Sequence, residues 1–246
     1  FFKPISCLRN NYIFKSLSLL FKLKPVISNR NLSFLLLIVG SIGISFGGLI
    51  MRNITSADPW QIAFYRGLAF LFSIFLFLYY QYRLEIFNTI KNTGFPGFAG
   101  GFLLMLANLL FIQSLANTSI ANALFTLSSI PFLTAILAFI FLKEKISLRT
   151  IIIMIFAFMG IFIMIKDGLE SGGLLGNILA FVCAISFSGF VIVLRKSRNI
   201  NMLPANIVSG ILIIFVSFVI CLGNMKVPIK EILLCFLWGG VLSGFV

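Results

Sequence analysis

The feature that most constrains this chain is a succession of unbroken apolar runs of about 20 residues, the length an α-helix needs to cross a bilayer core. The expected spans are residues 32–51, 59–80, 94–115, 120–142, 150–165, 174–194 and 203–222. The fifth is short and is expected to extend back toward Ile146. An eighth starts near Ile232, with residues 232–246 remaining for it. Transmembrane β-strands alternate polar and apolar residues over about ten positions and do not fit runs twice that length. A composition of 60% hydrophobic and 10% charged residues agrees, because a soluble domain carries about 25% charge and could not hide this much apolar surface.

The net charge of +13 lies in the connections between the runs, so it reads as membrane topology and not as a nucleic-acid surface. With the amino terminus in the cytoplasm, the cytoplasmic segments hold Lys3, Arg9, Lys15, Lys22, Lys24, Arg30, Arg83, Lys91, Lys143, Lys145, Arg149, Arg195, Lys196 and Arg198. The opposite side holds only Arg52, Lys166, Lys226 and Lys230, together with the acids Asp58, Asp167, Glu170 and Glu231. Residues 1–31 form a basic arm, either an amphipathic surface helix or an unstructured extension. Cys7, Cys183, Cys221 and Cys235 have no paired spacing and read as small apolar fillers, and there is no histidine. Metal sites, cofactors and His-dependent membrane proteases are therefore not expected, and the chain does not read as an enzyme.

Internal repetition sets the domain organisation. Ile44-Ser45-Phe46-Gly47-Gly48 resembles Ile185-Ser186-Phe187-Ser188-Gly189, and Pro59 opening the second span matches Pro204 opening the seventh. The repeating unit is then five helices. An odd number inverts the second copy in the membrane. The expected fold is an all-α membrane protein, a polytopic helix bundle of two inverted five-helix units. Residues 32–165 hold the first repeat and 174–246 an incomplete second one, with about eight of ten helices present.

Asp58-Pro59-Trp60 leading to Phe64-Tyr65-Arg66, Thr118-Ser119-Ile120-Ala121-Asn122-Ala123 followed by Pro131-Phe132, and Leu142-Lys143-Glu144-Lys145-Ile146 carry a resemblance. Together with Gly160-Ile161 they resemble the EamA family of the drug/metabolite transporter superfamily, over residues 32–246. Lys143 stands where that family usually has glycine. The resemblance implies ten helices, an inverted repeat and export or exchange of small metabolites, without naming a substrate.

Several residues are candidates for the substrate path. Arg66 is the only charge well inside a span, where an arginine costs about 2.5–3.5 kcal/mol on insertion scales. It either snorkels outward toward Asp58 or faces a cavity and attracts an anionic group. Pro131 breaks its helix in mid-span and frees the Leu127 carbonyl, with Ser128 and Ser129 in the same turn. Asn108, Gln113 and Asn122 are amides that either join helices or line the path. Tyr65 is an interfacial or wall aromatic, as are Trp60, Tyr79, Tyr80 and Tyr82. Gly43/Gly47, Gly97/Gly101 and Gly240/Gly244 have the spacing of close helix contacts. No span contains Asp or Glu. The leading reading is a transporter of small metabolites by alternating access, with amino acids or related anionic or zwitterionic compounds as the substrate class. It would sit in the inner or plasma membrane with the lipid bilayer as its surroundings, bind no nucleic acid, and leave a homo-oligomer open. The alternatives are a non-transporting scaffold or receptor and, further off, an intramembrane enzyme.

Overall fold

Backbone groups inside a bilayer must be hydrogen-bonded internally, so long apolar runs resolve into helices. The computed structural model describes residues 38, 41, 45–82, 86–170 and 173–243. The basic arm, the first part of the first span with Gly43 and Ile44, Arg83 and Gly244 lie outside the described residues. The helices are α1 (residues 45–53), α2 (Pro59–Tyr82), α3 (Ile86–Asn117), α4 (Ile120–Leu127), α5 (Ile130–Leu137), α6 (Leu148–Glu170), α7 (Leu174–Lys196), α8 (Ala205–Ile220) and α9 (Ile229–Phe236). π-helical turns continue α5 over Ala138–Leu142 and α9 over Leu237–Leu242. No strand occurs among the described residues.

Among the described residues, four segments are long and apolar enough to cross a membrane: Pro59–Tyr80, Thr93–Asn117, Ile120–Leu142 and Leu174–Lys196. Leu148–Gly160 and Ala205–Ile220 are shorter apolar helices at the expected fifth and seventh spans. Sixteen residues of α8 cover only about 24 Å at 1.5 Å per residue, less than the roughly 30 Å of a bilayer core. The expected fifth span does start earlier than residue 150, at Leu148. The third starts earlier than expected, because α3 runs from Ile86 across a kink at Gly94 (φ 54°, ψ −150°) before Pro96. Only glycine enters that positive-φ region readily, so Gly94 separates a leading segment from the membrane-length part.

Large apolar side chains are found both in a buried cluster around Ile62, Ile112 and Trp238 and on the outer surface, while many of the closest contacts are made by small residues. Ala123, Ala180, Ala184, Ser188, Ser209 and Ser217 are fully buried, while Phe72, Phe141, Phe156 and Phe215 are each more than 60% exposed. Lipid solvates the large side chains as well as any core would, so helix association depends on small residues that let backbones approach. Gly47 lies against the Trp238 indole, Gly101 against the Ala205 carbonyl and Val208, and Gly240 against Ala69 and Ser73. Gly97, by contrast, meets Thr93 of its own helix.

The short connections suggest chain neighbours as the main partners, but the most extensive interface joins α3 and α7, which are not consecutive. They run antiparallel, as Ser114 meets Gly176, Cys183 meets Ala107 and Gly100 meets Phe190. Helices α2 and α8 also pack antiparallel, with Phe64 near Phe218, Gly67 on Ile213 and Leu71 on Gly210. Helix α9 runs parallel to α2, and α3 parallel to α8, so the two pairs repeat one arrangement.

Candidate functional site

Proline has no N–H and its ring crowds the carbonyl four residues earlier. Accordingly α4 ends at Leu127 and α5 restarts at Ile130, with Pro131 in its first turn. The Ser128 N–H bonds to the Leu124 and Phe125 carbonyls, and its hydroxyl donates to Phe125 O at 2.6 Å. Ser129 is fully buried, and its hydroxyl has no hydrogen-bond partner. From α7, the Ser188 hydroxyl donates to the Ile130 carbonyl at 3.2 Å and ties the start of α5 to α7.

Beside this break lies a cavity of ≈ 160 Å³ lined by Ala107, Asn108, Phe111, Leu127, Ile130, Cys183 and Phe187. Asn108 Nδ2 donates to Leu104 O at 2.9 Å, which holds the amide at the cavity wall. Asn108 also lines a small crevice whose other walls include Arg66, Gly67, Phe70 and Ile213. One amide therefore stands between the broken helix and the buried arginine.

Arg66 is 9% exposed and does not pair with Asp58 among the described residues. Its guanidinium carbon sits 4.5 Å from the centre of the Trp238 ring. Nη2 donates to Ser243 Oγ at 3.3 Å, while the buried Nε has no partner. The Gly239 position lies so close to the Arg66 backbone carbonyl that a Cβ there would collide with it. This close approach of α9 is what lays the indole over the guanidinium.

Tyr65, the neighbour of Arg66, points elsewhere. Its hydroxyl donates to Met225 O at 2.7 Å, and Gln61 Nε2 donates to Asn224 O at 2.9 Å. These two side chains fasten the start of α2 to the α8–α9 connection. From the other direction Glu231 Oε1 accepts the Ser56 and Thr55 N–H groups at 3.0 and 3.2 Å. Burial pushes the Glu231 carboxyl up, but the Ser56, Thr55 and Ala57 amides outweigh it and bring its pKa below the ordinary carboxylate value. Sequence reasoning passed over Glu231, Gln61, Ser188 and Trp238. An acid in the first turn after Pro228 was the available signal for Glu231, since helix N-termini favour negative charge.

The remaining candidates do not join the cavity. Gln113 is half-buried with an unpartnered amide nitrogen, and Asn122 takes part through its backbone, its N–H bonding to Ser119 Oγ and its carbonyl accepting from Thr126. Ser128 is exposed, and Pro131 lines a different cavity at the end of α5. The structure thus brings Asn108, Leu127 and Ile130 together, sets Arg66 behind Asn108, and leaves Gln113, Asn122 and Ser128 apart. Among the described residues no group of three His, Cys, Asp or Glu side chains could hold a metal.

Comparison with curated proteins and with solved structures returned no match. The description that does match is the EamA-like transporter family, over residues 31–166. Those residues hold α1 to α5 and most of α6, including Arg66, Asn108 and the broken helix. The match takes in more than half of the chain, which has four segments of membrane length among the described residues, and the chain belongs to the EamA-like transporter family.

Proposed function

We propose that this membrane transporter carries a small anionic or zwitterionic metabolite, such as an amino acid, by alternating access between two inverted five-helix units. The observation that carries the reading is the ≈ 160 Å³ cavity at the α4–α5 break, whose wall residue Asn108 also lines the small crevice against the buried Arg66. Broken helices at membrane depth offer unpaired backbone groups to a substrate, and a guanidinium grips carboxylate or phosphate with two parallel hydrogen bonds. Ser129 Oγ and Arg66 Nε are buried polar atoms still without partners, which suits groups that exchange partners as substrate passes.

The inverted repeat is supported by matched packing. Ser56, three residues before Pro59, is held by Glu231 near the start of α9. Asn201, three residues before Pro204, accepts from the Thr93 hydroxyl near the start of the membrane-length part of α3. The antiparallel α2–α8 pair is the arrangement that one two-fold axis in the membrane plane would create, and it would place ten helices in the whole protein. The basic connections support an amino terminus in the cytoplasm, and the reading is of a protein of the inner or plasma membrane.

The test is uptake into proteoliposomes made with the full-length protein and a mixture of amino acids, analysed by mass spectrometry. Saturable uptake of a carboxylate-bearing solute that is accelerated by the same solute trapped inside is expected. Uptake no faster than in protein-free vesicles, from correctly inserted protein, would refute the transport reading. Saturable uptake of cations alone would refute the substrate class.

A further inference from the structure

Two basic segments far apart in sequence meet at one end of the bundle. Residues 143–149 carry Lys143, Lys145 and Arg149 with one acid, Glu144, and residues 195–198 carry Arg195, Lys196 and Arg198. Arg195 Nη1 reaches Glu144 Oε2 at 3.4 Å, which joins the segments. They border a cavity of ≈ 430 Å³, larger than the one at the helix break. Lys145, Arg195, Glu144 and Thr150 give it a charged and polar wall with a net positive charge, and Pro131, Ala135 and Ala138 give it an apolar one.

Three features together point to what fills it. The cavity runs from Pro131 to the connection where the membrane-length segment Ile120–Leu142 ends and α6 begins, so its charged end with Lys145 and Arg195 sits at headgroup level and its apolar end reaches into the membrane. The helix surface around it is apolar and uncovered, with Phe141 67% and Leu148 74% exposed, and a bilayer solvates such a surface. Its own lining is amphipathic, with cations on one part and small apolar residues on another. A soluble anion would use only the first part, whereas a lipid uses both. The Arg195–Glu144 pair does not consume the cation. Its partners are 42% and 52% exposed, and solvent-screened pairs of this kind contribute little.

We propose that this cavity binds the phosphate group of an anionic membrane lipid, with Arg195 and Lys145 as the cationic ligands. The apolar wall takes the first carbons of the lipid chain. Glu144, as a solvent-exposed acid beside Arg195, opposes the phosphate only modestly. Basic pockets between membrane helices recognise lipid headgroups through this combination of charge and depth. The site is separate from the cavity beside Asn108 and does not depend on what the protein transports.

The experiment titrates the full-length protein in detergent with a short-chain phosphatidylglycerol, with phosphatidylcholine of the same chains, and with glycerol 3-phosphate, reading binding by the shift in melting temperature. Phosphatidylglycerol is expected to bind, and Lys145→Gln with Arg195→Gln to weaken it about thirty-fold, the loss of two cations near a membrane surface. Arg52→Gln with Arg198→Gln removes the same charge outside the cavity and is expected to change binding less than about three-fold. Glu144→Gln is expected to tighten it modestly, an outcome that a purely structural ion pair would not produce. Equal binding of phosphatidylcholine, or equal weakening by the two double variants, would overturn the site. Glycerol 3-phosphate binding as tightly as the lipid would overturn the lipid assignment in favour of a soluble phosphate.

Discussion

Replacing Arg66 tests the connection between the buried guanidinium and the transported anion. In the structure the group spends one hydrogen bond on Ser243 Oγ and its face on Trp238, leaving Nε unpartnered. Arg66→Lys keeps the charge but loses the planar fork and the stacking. One charge-assisted hydrogen bond is worth about 1.5–3 kcal/mol, so the lysine protein should bind the anion about 10- to 150-fold more weakly. Arg66→Gln also loses the charge and should fall further, toward the rate of empty vesicles. Stability should move the other way, because an arginine 9% exposed carries a desolvation cost that a glutamine avoids. The assay is initial uptake against substrate concentration in proteoliposomes, corrected for inserted protein, with melting temperatures of the same samples. Arg66→Gln with parental kinetics would refute the reasoning. So would loss of transport that tracks loss of folding in both variants, since Arg66 would then be only a structural clamp between α2 and α9.

Other perturbations follow from single contacts. Ser128→Ala plus Ser129→Ala should raise KM at unchanged expression if the break binds substrate, and unchanged KM returns the motif to packing. Gly101→Ala should destabilise by about 1–3 kcal/mol, because the added Cβ would meet the Ala205 carbonyl at 2.8 Å and Val208 Cβ at 2.7 Å. Gly160→Ala, whose Cβ would meet only Phe125 at 3.7 Å, should be neutral or stabilising in the same melting assay. The folded pKa of Glu231 is depressed, so its contribution is full above the unfolded value of about 4.3 and fades as pH falls through the folded one. Glu231→Gln should therefore melt below the parent at pH 7 and converge with it near pH 3, and parallel curves would refute that account. Cysteines placed singly in the 52–58 and 195–201 connections of a cysteine-free variant should be labelled from outside only in the first, and the reverse pattern would invert the orientation.

The sequence by itself determined which segments are helices and where several of them end. Run length required membrane-scale helices, Pro131 required the α4–α5 break, and the positions of Pro59 and Pro204 marked matching helix starts. It also made Gly47, Gly101 and Gly240 places of close approach. Only the tertiary structure decided which helices meet. A helix that is apolar all round has no stripe to mark the protein-facing side, because lipid accepts the same residues as a neighbouring helix does. Pairing of α3 with α7, the Trp238 ring over Arg66, Ser188 on the Ile130 carbonyl and Glu231 on the Thr55–Ser56 turn all join residues more than fifty positions apart. Such contacts depend on small residues and single polar groups meeting across the bundle, and neither periodicity nor composition encodes where that happens.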